Sequence, residues 1–200
     1  MEFEELEFGT YLLFGAWRLE FIMNGGFLHP ETIVKEFGVR VGMSVADFGC
    51  GTGYFTIDLA RAVGDEGRVY AFDVQQSALE SVRSRAQEAG LFNIETLWSD
   101  LEIPGGSKLP ERSQDRVLAA NILFQTPDKT AVLNEAKRVV KPDGKVIVID
   151  WLMATPLGPK KEYRVPQETI IRMAQGAGLK KEREFQAGEY HYGIVFTPTA

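Results

Sequence analysis

Residues 45–53 read VADFGCGTG, and this stretch decides the fold. An apolar run that contains Asp47 leads into glycines at alternate positions, Gly49, Gly51 and Gly53, and a helical pattern follows. Glycine is needed where φ must be positive or where the backbone must approach a ligand closely. The first turn of a helix also offers backbone N–H groups that have no partner inside the helix. The stretch therefore predicts a β-strand, a tight ligand-binding turn and a helix.

Strand and helix patterns alternate on the C-terminal side of this turn. Apolar runs predict strands at 44–48, 68–73, 94–99, 115–120 and 145–150. Helical patterns lie between them, at roughly 53–64, 76–89 and 127–140. Strands that are apolar nearly throughout are typical of a sheet covered on both faces, and strand–helix alternation indicates right-handed βαβ units. We therefore expect an α/β protein with a parallel sheet.

Two carboxylates narrow the choice of ligand at the turn. Asp73 ends the second predicted strand, 24 residues after Gly49, where a carboxylate can accept both hydroxyls of a ribose. The glycine spacing is G-x-G-x-G rather than the G-x-G-x-x-G of dinucleotide sites, and Asp47 would repel a pyrophosphate. Asp47 would suit the ammonium group of S-adenosylmethionine, which has a ribose and no phosphate. The pattern favours this cofactor, and a nicotinamide-dependent oxidoreductase is the alternative enzyme class.

Over roughly residues 27–198 the chain resembles the class I S-adenosylmethionine-dependent methyltransferases, and among them the ubiquinone/menaquinone C-methyltransferase-like branch. The most specific matches are VADFGCGTG at 45–53 and VYAFDV at 69–74. LWSDL at 97–101 is a third match. RVVKPDGK at 138–145 is similar to the L-K-P-G-G turn of that branch, with Asp143 in place of its first glycine.

The resemblance implies a fold and a set of cofactor contacts. The implied fold is a Rossmann-like three-layer sandwich with a seven-stranded, mostly parallel sheet and an antiparallel last strand, which suits strand patterns at 180–187 and 193–198. In the family, an acidic residue at the position of Asp100 reaches the adenine amino group, and the residue at Asn121 lies near the methionine part. The residues expected to bind the cofactor are Asp47, Gly49, Cys50, Gly51, Gly53, Asp73, Val74, Asp100, Leu101 and Asn121.

The resemblance also implies an enzyme, a methyltransferase that acts on a small-molecule acceptor by in-line methyl transfer. Such chemistry needs an aligned acceptor and few obligatory catalytic groups, so the sequence says least about the acceptor. Two alternatives stay open: an S-adenosylmethionine-binding module that is non-catalytic or partner-dependent, and a protein methyltransferase. We expect no metal site, because Asn121 stands where a catechol-type magnesium site would want an aspartate.

The topology indicates where an acceptor would bind. Ligands of open α/β sheets bind at the carboxyl ends of the strands, where the loops 121–127 and 151–165 and the connection 188–192 are expected. His191 is one of two histidines, and the ordinary pKa of histidine suits a general base. Arg164 could hold an anionic group of the acceptor. The candidate catalytic residues are His191, Tyr192 and Arg164.

Composition and charge exclude several classes of protein. The 200 residues suit one domain, a single cysteine excludes a disulfide framework, and the apolar runs are too short for a membrane span. A net charge of −6 argues against a nucleic-acid partner. We expect a cytoplasmic protein with a small-molecule substrate, and the oligomeric state stays open. Residues 1–28 are predicted to form a helical lid, and residues 29–200 the methyltransferase domain.

Overall fold

The computed structural model describes residues 28–199, and it contains a seven-stranded sheet. The predicted lid at 1–28 lies outside these residues apart from Leu28. The strands are β1 (Ser44–Phe48), β2 (Arg68–Asp73), β3 (Ile94–Trp98), β4 (Gln114–Ala120), β5 (Val140–Trp151), β6 (Leu179–Gln186) and β7 (His191–Pro198). The helices are α1 (Pro30–Ile33), α2 (Thr56–Val63), α3 (Gln76–Glu88), α4 (Lys129–Val139) and α5 (Gln167–Gly176), with 3₁₀ turns at Val34–Phe37 and Lys161–Tyr163. Within the described part of the chain, no helix is long and apolar enough to cross a membrane.

The strand order is β3-β2-β1-β4-β5-β7-β6. Strands β1 to β5 pair in parallel, whereas β7 is antiparallel to both of its neighbours, β5 and β6. This arrangement confirms the predicted sandwich with an antiparallel last strand. The strand order reverses between β1 and β4. In sheets of this kind, the crevice outside the carboxyl ends of two such strands is where ligands bind.

Apolar side chains on both faces of the central strands explain the three layers. On one face, Phe48 of β1 belongs to the same buried cluster as Leu133 of α4. On the other face, Val45 of β1 clusters with Leu59 of α2 and with Phe37. Burying a large apolar side chain contributes about 1.5–3 kcal/mol. The sheet is therefore stable only when helices cover both of its faces.

The start of β7 differs from the prediction. The strand begins at His191 rather than at residue 193, so His191 and Tyr192 are strand residues and not part of the preceding connection. His191 pairs with Trp151, and Tyr192 pairs with Asp150, at the end of β5. The antiparallel ladder extends to these two residues because β5 is long enough to pair with them.

The start of β5 also differs from the prediction. The strand begins at Val140 rather than at residue 145, and the predicted turn at 142–144 lies within its irregular first part. The register against β4 shifts between Gln114 and Arg116. Because Pro142 cannot donate a ladder hydrogen bond, an irregularity is expected at this place in a strand.

A buried carboxylate fixes the loop that follows β3. Glu135 of α4 accepts hydrogen bonds from the N–H groups of Gly105 and Ser107 and from the Ser107 hydroxyl. The Arg138 guanidinium donates to both Glu135 oxygens. Burial alone would raise the pKa of Glu135, but the hydrogen bonds from Arg138 and Ser107 hold it below its usual value. The loop is thereby attached to the helix layer.

We expect Glu135→Ala to destabilise the fold. The buried donors of Ser107 and the partly buried guanidinium of Arg138 would lose a charged acceptor, and a hydrogen bond to a charged group is worth about 1.5–3 kcal/mol. Urea unfolding followed by circular dichroism measures the loss. The control is Glu80→Ala, because Glu80 is exposed on α3. Equal stability of the two variants would contradict this account of the loop.

Candidate functional site

The glycine-rich turn leaves β1 and approaches the loop after β4 closely. Gly49, Gly51 and Gly53 have φ values of 70°, 51° and 83°, which other residues adopt rarely. A Cβ on Gly49 would lie 2.7 Å from Cδ1 of Ile122. The turn is therefore restricted to glycine by its conformation and, at Gly49, also by its packing. It ends where α2 begins at Thr56, three residues later than predicted.

Asp47 is a buried carboxyl group two residues before this turn. It is 2% exposed, and the Thr56 hydroxyl donates to its Oδ2 at 2.6 Å. Burial raises the pKa of Asp47 to about 7; the hydrogen bond from Thr56 opposes this rise, and the negative charge of Asp73 adds to it. A cation against the carboxyl would favour its ionised form, whereas a pyrophosphate would be repelled. The environment of Asp47 fits the ammonium group of S-adenosylmethionine.

Asp73 connects the end of β2 to the glycine-rich turn. Its Oδ2 accepts the N–H of Gly51 and its Oδ1 accepts the N–H of Gln75, both at 2.9 Å. A carboxylate has about four lone-pair sites, so each oxygen can accept a further donor. The hydroxyls of a ribose are donors of this kind. The geometry of Asp73 is therefore compatible with its predicted role.

The other residues predicted to bind the cofactor differ in the exposure of their side chains. Val74 is 58% exposed, and Asp100 is exposed, with its Oδ1 accepting the N–H of Glu102 at 2.9 Å. Cys50 and Leu101 instead have buried side chains. The N–H of Cys50 donates to the carbonyl of residue 72 at 2.8 Å, which joins the turn to β2.

Trp98, at the end of β3, lies near this site and was not among the predicted site residues. It is 65% exposed, and its Nε1 donates to the carbonyl of Val74 at 2.8 Å. It lies opposite Asp73 in the ladder between β2 and β3. The sequence feature that could have identified Trp98 is an aromatic residue at the end of the strand next to Asp73, the predicted acceptor of the ribose hydroxyls.

Asn121 begins the loop after β4 in an unusual conformation. Its φ is 55°, in the left-handed region that non-glycine residues seldom adopt. Its N–H donates to the carbonyl of Ile149 at 2.8 Å, while its buried Oδ1 has no hydrogen-bond partner within residues 28–199. Strained backbone and unsatisfied buried acceptors are often found at ligand sites. The residues around the turn therefore fit the predicted cofactor.

Two of the candidate catalytic residues, His191 and Tyr192, are buried. His191 is fully buried against the Trp151 ring, with 4.1 Å between ring centroids, and burial lowers its pKa to about 3. The Tyr192 hydroxyl donates to the carbonyl of Val165 at 3.0 Å, and burial raises its pKa. A general base works best when its pKa lies near the operating pH. The catalytic roles of His191 and Tyr192 stay predictions, which these pKa shifts do not favour.

Arg164 is buried rather than open to an anionic acceptor. Its guanidinium donates to five backbone carbonyls within residues 152–159. Few of its donors are therefore left for a ligand. Its direct contact with the acceptor stays a prediction, which this geometry does not favour.

Asp150, at the end of β5, is a buried carboxyl group that was not among the predicted site residues. Its Oδ2 accepts the N–H of Phe124 at 3.1 Å, and its Oδ1 accepts the N–H of Trp151 at 2.8 Å. Burial raises its pKa to about 7, and the two backbone hydrogen bonds oppose the rise. Asp150 thereby joins the loop after β4 to β5. The sequence feature that could have identified Asp150 is an acidic residue at the end of an apolar strand.

A cavity of about 320 Å³ lies between the start of α5 and the β6–β7 hairpin. Strands β5 and β6 both end near it, because they run parallel to each other on either side of β7. It therefore adjoins the edge of the sheet where an acceptor is expected. The residues that line it are Leu152, Gln167, Glu184, Phe185, Gln186, His191 and Tyr192.

Residues 40–185 match the family model described as a methyltransferase domain. The chain belongs to this family. A crystal structure of a SAM dependent methyltransferase from Aquifex aeolicus has the same fold, with a TM-score of 0.79 and 31% identity over 87% of this chain and 92% of that one. These findings confirm the predicted enzyme class, methyltransferase, and the predicted cofactor, S-adenosylmethionine.

Named relatives of this methyltransferase domain support the menaquinone-like branch. The demethylmenaquinone methyltransferase of Lactococcus lactis subsp. lactis is 36% identical over 154 residues, which are 76% of this chain and 60% of the relative. That of Geobacillus sp. (strain WCH70) is 34% identical over 134 residues, which are 66% of this chain and 56% of the relative. The chain thus spans less than two thirds of the length of these relatives.

We expect Asp47→Asn to change how stability depends on pH. A carboxyl whose pKa is raised to about 7 by folding contributes stability below its unfolded pKa, and this stability is lost as the pH rises through about 7. An amide does not titrate, and it can still accept from Thr56. As the pH rises from about 5 to about 8, the free energy of unfolding of the wild type should therefore fall relative to that of Asp47→Asn. The shift should be at least about 1.4 kcal/mol, the equivalent of one pKa unit.

Urea unfolding without cofactor at both pH values measures this shift. Asp65→Asn is the control for loss of a carboxylate, because Asp65 is exposed on the surface. If Asp47→Asn and the wild type differ by the same free energy at both pH values, Asp47 does not have the raised pKa.

Proposed function

We propose that this methyltransferase domain transfers a methyl group to a small aromatic acceptor, a quinone in its reduced, quinol form. The observation that supports methyl transfer from S-adenosylmethionine is the arrangement of Asp47, Asp73 and Asn121 around the glycine-rich turn, at the crevice between β1 and β4. This crevice would place the cofactor beside the carboxyl ends of β4 and β5. The names of the demethylmenaquinone methyltransferases support the class of acceptor.

Each polar side chain at the turn would contact a different part of the cofactor. When bound, S-adenosylmethionine supplies a methyl group on a sulfonium, which an acceptor displaces in line. Asp73 would accept the ribose hydroxyls, and Asp47 would pair with the ammonium group, directly or through a water. Asn121 Oδ1 would accept a donor from the methionine part. Asp100 would reach the adenine amino group.

The acceptor would bind among the loop 121–128, the loop 152–160 and the turn 187–190. These segments would hold the ring in line with the methyl group and keep water out. A quinol has its own hydroxyl groups, whose electrons activate the ring carbons. The S–CH3 bond breaks as the ring C–CH3 bond forms, and the methylated carbon then loses its proton to solvent, so the protein need not supply a strong base. This agrees with the low pKa of His191, about 3.

Methyl transfer to a quinol tests the proposal directly. The full chain would be incubated with S-adenosylmethionine that has a labelled methyl group and with chemically reduced demethylmenaquinone. We expect labelled, methylated quinol and S-adenosylhomocysteine to form together. Binding of S-adenosylhomocysteine without any transfer would contradict the proposed acceptor, and it would favour a non-catalytic or partner-dependent module.

We expect Asp73→Ala to weaken cofactor binding. It removes the acceptor of two ribose hydroxyls, and hydrogen bonds to a charged group are worth about 1.5–3 kcal/mol, which corresponds to about a tenfold loss of affinity or more. Calorimetric titration with S-adenosylhomocysteine measures the change. Asp73→Asn tests whether the weaker binding comes from a loosened glycine-rich turn instead of from the lost ribose contacts, because the amide oxygen can still accept the N–H of Gly51. Asp65→Ala serves as the surface control, and wild-type affinity in folded Asp73→Ala would refute the assigned role.

The N-terminal segment is proposed to act as a lid. Its supporting observation is the hydrogen bond from the Tyr54 hydroxyl to the Leu28 carbonyl, which places the first described residue beside the glycine-rich turn. Leu28 is also buried, in the same cluster as Phe55.

Removal of residues 1–25 should therefore weaken cofactor binding or lower turnover, because the cofactor would be less shielded from water. Thermal unfolding of the shortened chain verifies that the sheet domain still folds. Cofactor affinity and turnover equal to those of the full chain would show that the segment is not a lid.

Location and partners also stay predictions. We expect a cytoplasmic location, a small-molecule substrate and no nucleic-acid partner, and the last of these agrees with the net charge of −6.

A further inference from the structure

Arg164 is a buried arginine whose guanidinium donates to backbone carbonyls. Its Nε donates to the carbonyl of Pro159 at 2.8 Å, and its Nη2 to that of Leu157 at 2.9 Å. Nη1 donates at 3.1, 3.4 and 2.9 Å to the carbonyls of Leu152, Met153 and Thr155. A guanidinium has five N–H donors, so these contacts leave at most one of them for a ligand.

The five carbonyls belong to one loop, residues 152–159, which follows β5 at the carboxyl edge of the sheet. The loop contains two prolines and no helix or strand. At its start, the N–H of Leu152 donates to the carbonyl of Tyr190 at 2.9 Å. Near its end, a Cβ on Gly158 would lie 2.3 Å from Cε3 of Trp151. The loop is therefore fitted between the Trp151 indole and the β6–β7 connection, with Arg164 as its main hydrogen-bond donor.

The charge of Arg164 is offset by carbonyl dipoles. Within residues 28–199, no carboxylate forms an ion pair with it. Burying a charge is costly unless the group is hydrogen-bonded, and the carbonyls meet that requirement here. A lysine could not replace the arginine fully, because a compact ammonium with three donors cannot contact five carbonyls at once.

Arg116 offers a matched comparison at the opposite edge of the sheet. It is 8% exposed, near the start of β4. Its guanidinium also donates to backbone carbonyls, those of Phe37, Gly38 and Asp115. Arg116 therefore has the same kind of bonding as Arg164, but it holds a segment remote from the carboxyl edge.

We propose that Arg164 is a positioning residue for methyl transfer, which holds the loop 152–159 as a pre-formed wall of the acceptor site. The inference rests on the proposed function, because it takes this edge as the place of the acceptor. In-line transfer requires aligned reacting atoms, and a displacement of about 1 Å can cost about a hundredfold in rate. A loop with two prolines and no β-ladder hydrogen bonds needs a hydrogen-bond donor from outside the loop to hold its position to within about 1 Å. Arg164 acts through the loop and does not bind the acceptor itself.

Three variants test this role in the full chain. Arg164→Met removes the donors, Arg164→Lys keeps the charge with fewer donors, and Arg116→Met is the control for loss of a buried arginine. The measurements are kcat and KM for reduced demethylmenaquinone, the affinity for S-adenosylhomocysteine, and amide hydrogen exchange of residues 152–160.

We expect Arg164→Met to lower kcat/KM for the acceptor by about tenfold to a hundredfold. Its affinity for S-adenosylhomocysteine should stay within about twofold of the wild type, because the glycine-rich turn is untouched. Hydrogen exchange should accelerate in the loop 152–160. Arg164→Lys should recover part of kcat/KM, and Arg116→Met should lower stability without the kinetic change.

Gly158→Ala gives a second route to the same displacement with Arg164 intact. The added Cβ would collide with the Trp151 ring and push the loop away. We expect the same fall in kcat/KM, again with unchanged affinity for S-adenosylhomocysteine. This variant keeps the test decisive if Arg164→Met does not fold.

The inference is overturned if the Arg164 variants match Arg116→Met, losing stability while kcat/KM and loop exchange are unchanged. It is also overturned if Arg164→Met weakens binding of S-adenosylhomocysteine as much as it lowers kcat/KM. Failure of the proposed function has a different signature, since the wild type would then bind S-adenosylhomocysteine without methylating the quinol. In that case, amide hydrogen exchange of residues 152–160 in the same variants decides whether Arg164 holds the loop.

Discussion

The turn after β1 must leave the strand without filling the crevice at the carboxyl edge, and the rest of the site depends on this constraint. Gly49 passes so close to Ile122 that a Cβ would collide with it. The N–H of Gly51 is bound by Asp73 at the end of β2. These contacts fix the turn to the segments beside β1, between Asp47 in the strand and the start of α2.

Three buried ionisable groups lie in or after the parallel strands β1 and β5. Burial raises the pKa values of Asp47 and Asp150 to about 7. Arg164 is surrounded by carbonyls of one loop. Burial of such groups costs stability unless they are compensated, and departures from local rules of this kind are expected at functional sites. Under the proposed function, the cofactor's ammonium group would give Asp47 a physical role, and an aligned acceptor would give Arg164 one.

Apart from the start of β5, the sequence predicted the parallel strands to within a few residues, because they are largely apolar, and the turn, because positive φ favours glycine. It did not predict the surroundings of Arg164 or His191. A lone arginine has the same sequence signal whether it meets solvent, a ligand or backbone carbonyls. Its surroundings depend on how residues 152–159 fold, and these have no periodic pattern. His191 looked like a turn residue, but pairing with β5 draws it into β7.

Calorimetric titration of the full chain with S-adenosylmethionine and S-adenosylhomocysteine, with NAD as the control ligand, tests the central claim most directly. The claim is that the turn and its carboxylates form a site for an adenosyl ligand with an ammonium group and no phosphate. The account predicts that both sulfur ligands bind in the micromolar range and that NAD does not bind. Binding of NAD in their place, or no binding of either sulfur ligand by the folded chain, would contradict it.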